Sequence, residues 1–103
     1  MKELNIAGVN VLLDDEGYLT DSSQWNEEVA KELGKIDGLE LTDKHIEVLK
    51  FLRDTHNAGD ALTIRRVGKS GIVDIKGLYQ LFPGGPLKYS SKFAGIPKPA
   101  SCV

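Results

Sequence analysis

The chain has 103 residues, 41% of them apolar, a net charge of −2 and a single cysteine. That length supports one domain with a modest core, and no apolar run approaches the ~18–20 residues of a membrane span. One cysteine excludes an internal disulfide, and the opening Met1-Lys2-Glu3-Leu4-Asn5 carries no apolar signal block, so a reducing cytoplasm is the expected compartment.

Residues 4–13 alternate apolar and polar positions before a short apolar run, and Ala7-Gly8 suits a tight turn. The pattern predicts a small β-hairpin. Asp14-Asp15-Glu16-Gly17 signals another turn, after which Tyr18 and Leu19 return to the core. A first helix is expected from near Ser23. Asp21, Ser22 and Ser23 are good N-caps, and Glu27 and Glu28 favour the positive end of the helix dipole. Trp25, Val29, Leu33 and Ile36 would form its apolar stripe, with Gly38 as the stop.

Thr42 caps a second helix, with Ile46, Val48, Leu49, Phe51 and Leu52 on its apolar face and Asn57-Ala58-Gly59 at its end. His45 and His56 lie about three turns apart, too far to ligate one metal from a single helix. They read as surface or capping residues, and no metal site is expected. A short third helix is predicted over residues 61–67 after Asp60. A fourth, capped by Asp74, covers residues 75–82 and is stopped by Pro83.

All four prolines (Pro83, Pro86, Pro97 and Pro99) lie beyond that point, and Cys102 stands one residue from the end. Proline fixes φ and cannot continue a helix, so this stretch is expected to be extended. Gly84, Gly85 and Gly95 read as hinges or turn residues. Tyr89 and Phe93 would either pin the arm to the body or serve a partner interface. The arm is basic: Lys88, Lys92 and Lys98 stand without an acidic neighbour, whereas residues 1–87 hold 10 Lys+Arg against all 15 Asp+Glu. A basic arm on an acidic body suits an anionic docking site, and lysines that merely keep a tail soluble would look the same.

The expected fold is therefore α+β and mostly α. It combines an N-terminal β-hairpin, a bundle of about four helices with a helix-turn-helix-like pair, and an extended, flexible C-terminal arm. The body would span residues 1–82 and the arm residues 83–103. A thiol at such a tip can enter a partner's active site, where the thiolate is the reactive species. The Val103 carboxylate opposes thiolate formation. Lys98 is the nearest counter-charge, and Arg65 is another if the arm folds back. Arg65, Arg66 and Lys69 could face phosphates, but the negative net charge and few basic residues argue against direct nucleic-acid binding. A subunit that only docks on a larger enzyme is a further reading.

Phe82-Pro-Gly-Gly-Pro, Lys88, Lys92-Phe-Ala-Gly-Ile-Pro-Lys-Pro and Cys102-Val103 resemble the C-terminal arm of the TusE/DsrC/DsvC family of sulfur-relay proteins. Matches at Gly17-Tyr18-Leu19, Trp25, Leu41-Thr42, His45, Phe51-Leu52-Arg53 and Ile64-Arg65 extend the resemblance over nearly the whole chain. It implies a persulfide carrier that needs no cofactor and acts as a protein co-substrate, with Cys102 as the sulfur-bearing residue and Lys98, Arg65 and Lys88 as supporting charges. Its partners would be sulfur donors and acceptors: a relay complex, a tRNA-thiolating enzyme or a sulfite reductase. DsrC-like arms carry a second cysteine eleven residues before the penultimate one. That position is Ser91 here, which favours the one-cysteine, TusE-like kind serving tRNA 2-thiouridine synthesis over a partner of dissimilatory sulfite reductase. The segment between Arg66 and Leu78 is several residues shorter than the family pattern implies.

Overall fold

The computed structural model describes residues 2–6 and 8–98. Strands β1 (Lys2–Ile6) and β2 (Val9–Leu13) form the expected antiparallel hairpin, in register from Lys2 opposite Leu13 to Ile6 opposite Val9. Alternation places Val11 and Leu13 in the core and leaves Leu12 outside. Leu19 bridges back to Leu13, and Tyr18 and Leu19 are both buried.

Two caps compete at the first helix, and it begins later than Ser23. The Asp21 carboxylate accepts from the Ser23 amide (3.0 Å) and hydroxyl (2.6 Å), holding Ser22–Gln24 in a single 3₁₀ turn. Those bonds hold the carboxyl below its usual range. Trp25 is extended, and Asn26 then caps α1 (Glu27–Ile36) by accepting from the Val29 amide at 2.8 Å. Rotating the start shifts the stripe: Val29, Ala30 and Leu33 are buried, whereas Ile36 is 54% exposed.

Helix α2 (Asp43–Asn57) follows the predicted bounds. His45 is its capping partner: Nδ1 accepts from the Thr42 amide at 3.0 Å, which leaves Nε2 to donate to the Leu81 carbonyl at 2.8 Å. Helix α3 is shorter than expected, Ile64–Gly68, because Thr63 rather than Asp60 caps it through the Arg66 amide. It packs against α2 across the connection 58–63. Helix α4 (Ile75–Leu81) starts at Asp74, whose carboxylate accepts from the Gly77 amide at 2.6 Å.

The largest difference lies beyond Pro83. Residues Pro86–Phe93 form a fifth helix, α5, and it touches α1, α2 and α4. Leu87, Phe93, Ala94 and Ile96 are fully buried. Pro86 occupies the first helical position, where its fixed φ suits the helix and its missing N–H is no loss. The proline that argued for an extended arm is thus a helix-starting one. Half of the residues from 83 to 98 are buried, so the segment is anchored in the core rather than forming an extended arm. Within the described residues only Pro97 and Lys98 follow the last buried side chain.

Candidate functional site

Cys102 lies outside the described residues, and the described chain leads toward it from the C-terminal end of α5. A helix leaves its last four carbonyls without intrahelical partners. Here every one is taken. The Ile96 amide donates to Ser91 O (3.3 Å) and the Gly95 amide to Lys92 O (3.3 Å), the two bonds of a Schellman turn. Trp25 Nε1 donates to Phe93 O at 2.7 Å, and Arg53 Nη1 donates to Ala94 O at 2.9 Å. Gly95 takes φ +68°, and a Cβ there would stand 2.8 Å from Leu19 Cδ1 and from Trp25 Cδ1. The position requires glycine for its backbone and for the close approach of two side chains. It is a packed turn rather than a hinge.

Arg53 joins this turn to the 3₁₀ segment. Its guanidinium also donates to Ser22 Oγ (3.1 Å) and Ser22 O (3.0 Å), and it lies 4.6 Å from the Trp25 ring centroid. Burial pushes the guanidinium below its ordinary range, opposed by the neighbouring Asp54 carboxylate. Lys92 Nζ forms a largely shielded ion pair with Asp37 at 2.7 Å, fastening α5 to the end of α1.

The residues expected from sequence fall in separate places. Lys98 Nζ lies 2.8 Å from Glu16 Oε2, in an exposed ion pair with the turn after β2. Lys88 is exposed on α5, 5.5 Å from the Tyr89 ring centroid, while its carbonyl accepts from Tyr18 Oη at 3.2 Å. Arg65 is exposed on α3 beside an open cleft of about 480 Å³ that also involves Phe51, Thr63, Arg66, Lys69 and Ser70. Arg66 is 3.7 Å from Asp60. Among the described residues no group of three or more His, Cys, Asp or Glu could hold a metal ion. Nor is any helix there long and apolar enough to cross a membrane.

Ser91 is fully buried in α5, and its Oγ has no hydrogen-bond partner among the described residues. A buried hydroxyl without a partner costs free energy. Ser91→Ala is therefore expected to stabilise the fold by about 1 kcal/mol, read as a raised urea midpoint with unchanged slope. Ser90, its neighbour, donates to Leu87 O at 3.3 Å and is not expected to behave so.

Sequence reasoning placed Trp25 on the apolar stripe of the first helix, whereas it stands extended before α1, and it marked Arg53 only as a matched position. Their polar groups meet α5 carbonyls 68 and 41 residues away. A tryptophan N–H and an arginine fork beside an otherwise apolar pattern were the available signal.

The family described as DsrC like protein matches residues 5–103. The chain is 39% identical over 108 aligned residues to a protein named Sulfurtransferase TusE homolog from Haemophilus influenzae, covering 97% of this chain and 99% of that one. It is 39% identical over 106 aligned residues to Sulfurtransferase TusE from Escherichia coli, covering 93% and 95%. Its fold is similar to the crystal structure of the oxidized gamma-subunit of the dissimilatory sulfite reductase (DsrC) from Archaeoglobus fulgidus. That match has a TM-score of 0.83 at 35% identity, over 99% of this chain and 100% of that one.

Proposed function

The chain belongs to the DsrC-like protein family, and from that premise we propose that it is a cytoplasmic persulfide carrier of the one-cysteine, TusE-like kind. The carrying observation is that Cys102, next to the end, is the only cysteine, while position 91 on the buried face of α5 is serine. A single thiol can hold and release one sulfur atom but cannot close an intramolecular disulfide.

In this reading the Cys102 thiolate attacks the outer sulfur of a donor persulfide. The donor's S–S bond breaks, the donor leaves as its thiolate, and Cys102 becomes the persulfide. An acceptor thiolate then takes the outer sulfur in the same way, and the Cys102 thiolate is restored. Each step moves one sulfur atom between thiols, with no net oxidation and no cofactor. The reactive arm is the stretch after Ile96. Lys88 on α5 and Arg65 on α3 offer positive charge to acidic partner groups from separate places on the body, and Lys98 carries its own within the arm. The acceptor is an enzyme that thiolates the wobble uridine of tRNA.

Intact mass spectrometry of the reduced protein after exposure to inorganic polysulfide tests the carrier chemistry. The expected result is a gain of one sulfur atom, removed by dithiothreitol. No gain, with Cys102 still open to alkylation, would overturn the proposal. The likeness to the Archaeoglobus gamma-subunit supports a second reading, a docking partner of sulfite reductase. That reading predicts a stable complex with such a reductase that persists without the thiol.

A further inference from the structure

We propose that Trp25 and Arg53 are positioning residues for the Cys102 thiol: they lock the end of α5 and so fix the point from which the sulfur-bearing segment leaves the body. The inference rests on the carrier reading for its chemistry, but its geometry stands on described residues alone. The two side chains satisfy the Phe93 and Ala94 carbonyls, the last two of the four at the helix end. They come from different elements, the turn after the 3₁₀ segment and helix α2, and meet each other through the cation–ring contact at 4.6 Å. Ser22 ties the same guanidinium to a third point. Gly95 lets the turn approach Leu19 and Trp25 more closely than a side chain at that position would allow.

The consequence is a bounded distance. Cys102 stands six positions after Ile96, so chain length alone keeps its Cα within about 20 Å of that anchor. The upper bound is release of the chain back to Ser90, which would also uncover Phe93, Ala94 and Ile96 and would double the chain-length limit to about 40 Å. Local thiol concentration at a docked partner falls roughly as the −3/2 power of tether length, or as the cube of reach when the tether is stretched. The doubling therefore sets a ceiling of roughly three- to eightfold on the loss. A small soluble thiol does not depend on the tether, so its reaction is unaffected.

Trp25 is the only tryptophan and Cys102 the only cysteine, so the chain carries its own donor and labelling site for energy transfer. The test compares the native chain with Arg53→Met, which keeps apolar bulk but loses every donor, and Arg53→Lys, which keeps the charge but cannot reach Ser22 and Ala94 together. Time-resolved transfer from Trp25 to a thiol-linked dye on Cys102 is expected to give a broader distance distribution in Arg53→Met, with Arg53→Lys between. Persulfide delivery to the Escherichia coli tRNA-thiolating enzyme is expected to lose up to roughly three- to eightfold in kcat/KM, mostly through KM. Delivery to glutathione stays within twofold. An unchanged distance distribution in a folded variant overturns the proposal, as does an equal loss toward enzyme and glutathione. If Arg53→Met does not fold, Arg53→Lys decides the same comparisons. Should the native chain take up no sulfur at all, the carrier reading fails, and the distance distributions alone decide whether the root is fixed by Arg53.

Discussion

Cys102→Ala is expected to abolish sulfur transfer completely and to leave folding stability within about 0.5 kcal/mol of the native chain. The first half follows from chemistry. Sulfane sulfur is held as a persulfide, which only a thiol forms, and the sequence contains one thiol. No serine, including the adjacent Ser101 and the buried Ser91, can substitute, because a hydroxyl has no persulfide counterpart at neutral pH. The second half follows from where the described core ends. Its last buried side chain is Ile96, and Pro97 and Lys98 after it are exposed. Transfer of radiolabelled sulfur from a loaded donor, run beside a urea melt, checks both halves. Residual transfer above a thiol-free control would place the chemistry elsewhere. A lost melt would mean that the C-terminal residues are structural, and loss of transfer could not then be read as chemistry.

The contrast between the arm as expected and the arm as found shows what a linear reading can weigh. Thr42 and Asp74 announced α2 and α4 because a cap acts on amides two or three residues away, and such signals are local. Pro86 and Lys92 announced α5 in the same way, as a proline at the first helical position and a cation in the last turn. Leu87, Ser90, Ser91 and Ala94 repeat at helical spacing and are all buried. Those signals were outweighed by the number of prolines nearby, although only Pro86 bears on this helix and it favours it. The anchor formed by Trp25, Arg53 and Gly95 was beyond local reading. Its bonds join residues 41 and 68 positions apart, and only the fold brings them together. Ile36 shows the opposite error. Its spacing from Leu33 was right for the stripe, but the true start of α1 at Glu27 leaves it at the helix's last position, exposed. The charges picked out around the thiol were real as charges. Yet Lys98 pairs with Glu16, and Arg65 sits on α3 at its own cleft, which composition could not show.

Phe93→Ala is expected to destabilise the fold by about 3–5 kcal/mol, the usual cost of emptying a buried phenylalanine site. Phe93 is fully buried in α5, its ring 6.1 Å from Tyr89 and 6.3 Å from Phe82, and Phe82 in turn meets the His45 ring edge-on at 5.1 Å. Truncation would leave a void beneath the helix that joins α1, α2 and α4, and would cost the aromatic contacts as well as the burial. Domains of this size hold roughly 5–15 kcal/mol in total, and each kcal/mol moves the melting point by about 4–8 °C. The variant should therefore melt at least ~12 °C below the native chain. Had residues from 83 onward formed an extended arm, the same change would stay within about 0.5 kcal/mol, the effect expected of Tyr79→Ala at a half-exposed site on α4. Calorimetry on both variants separates the two outcomes. Because Phe93 also supplies the carbonyl that Trp25 holds, a weakened but folded Phe93→Leu should broaden the Trp25-to-Cys102 distance distribution. On the proposed reading, placement of the Cys102 thiol depends on the core packing of α5 as well as on the bonds at its end.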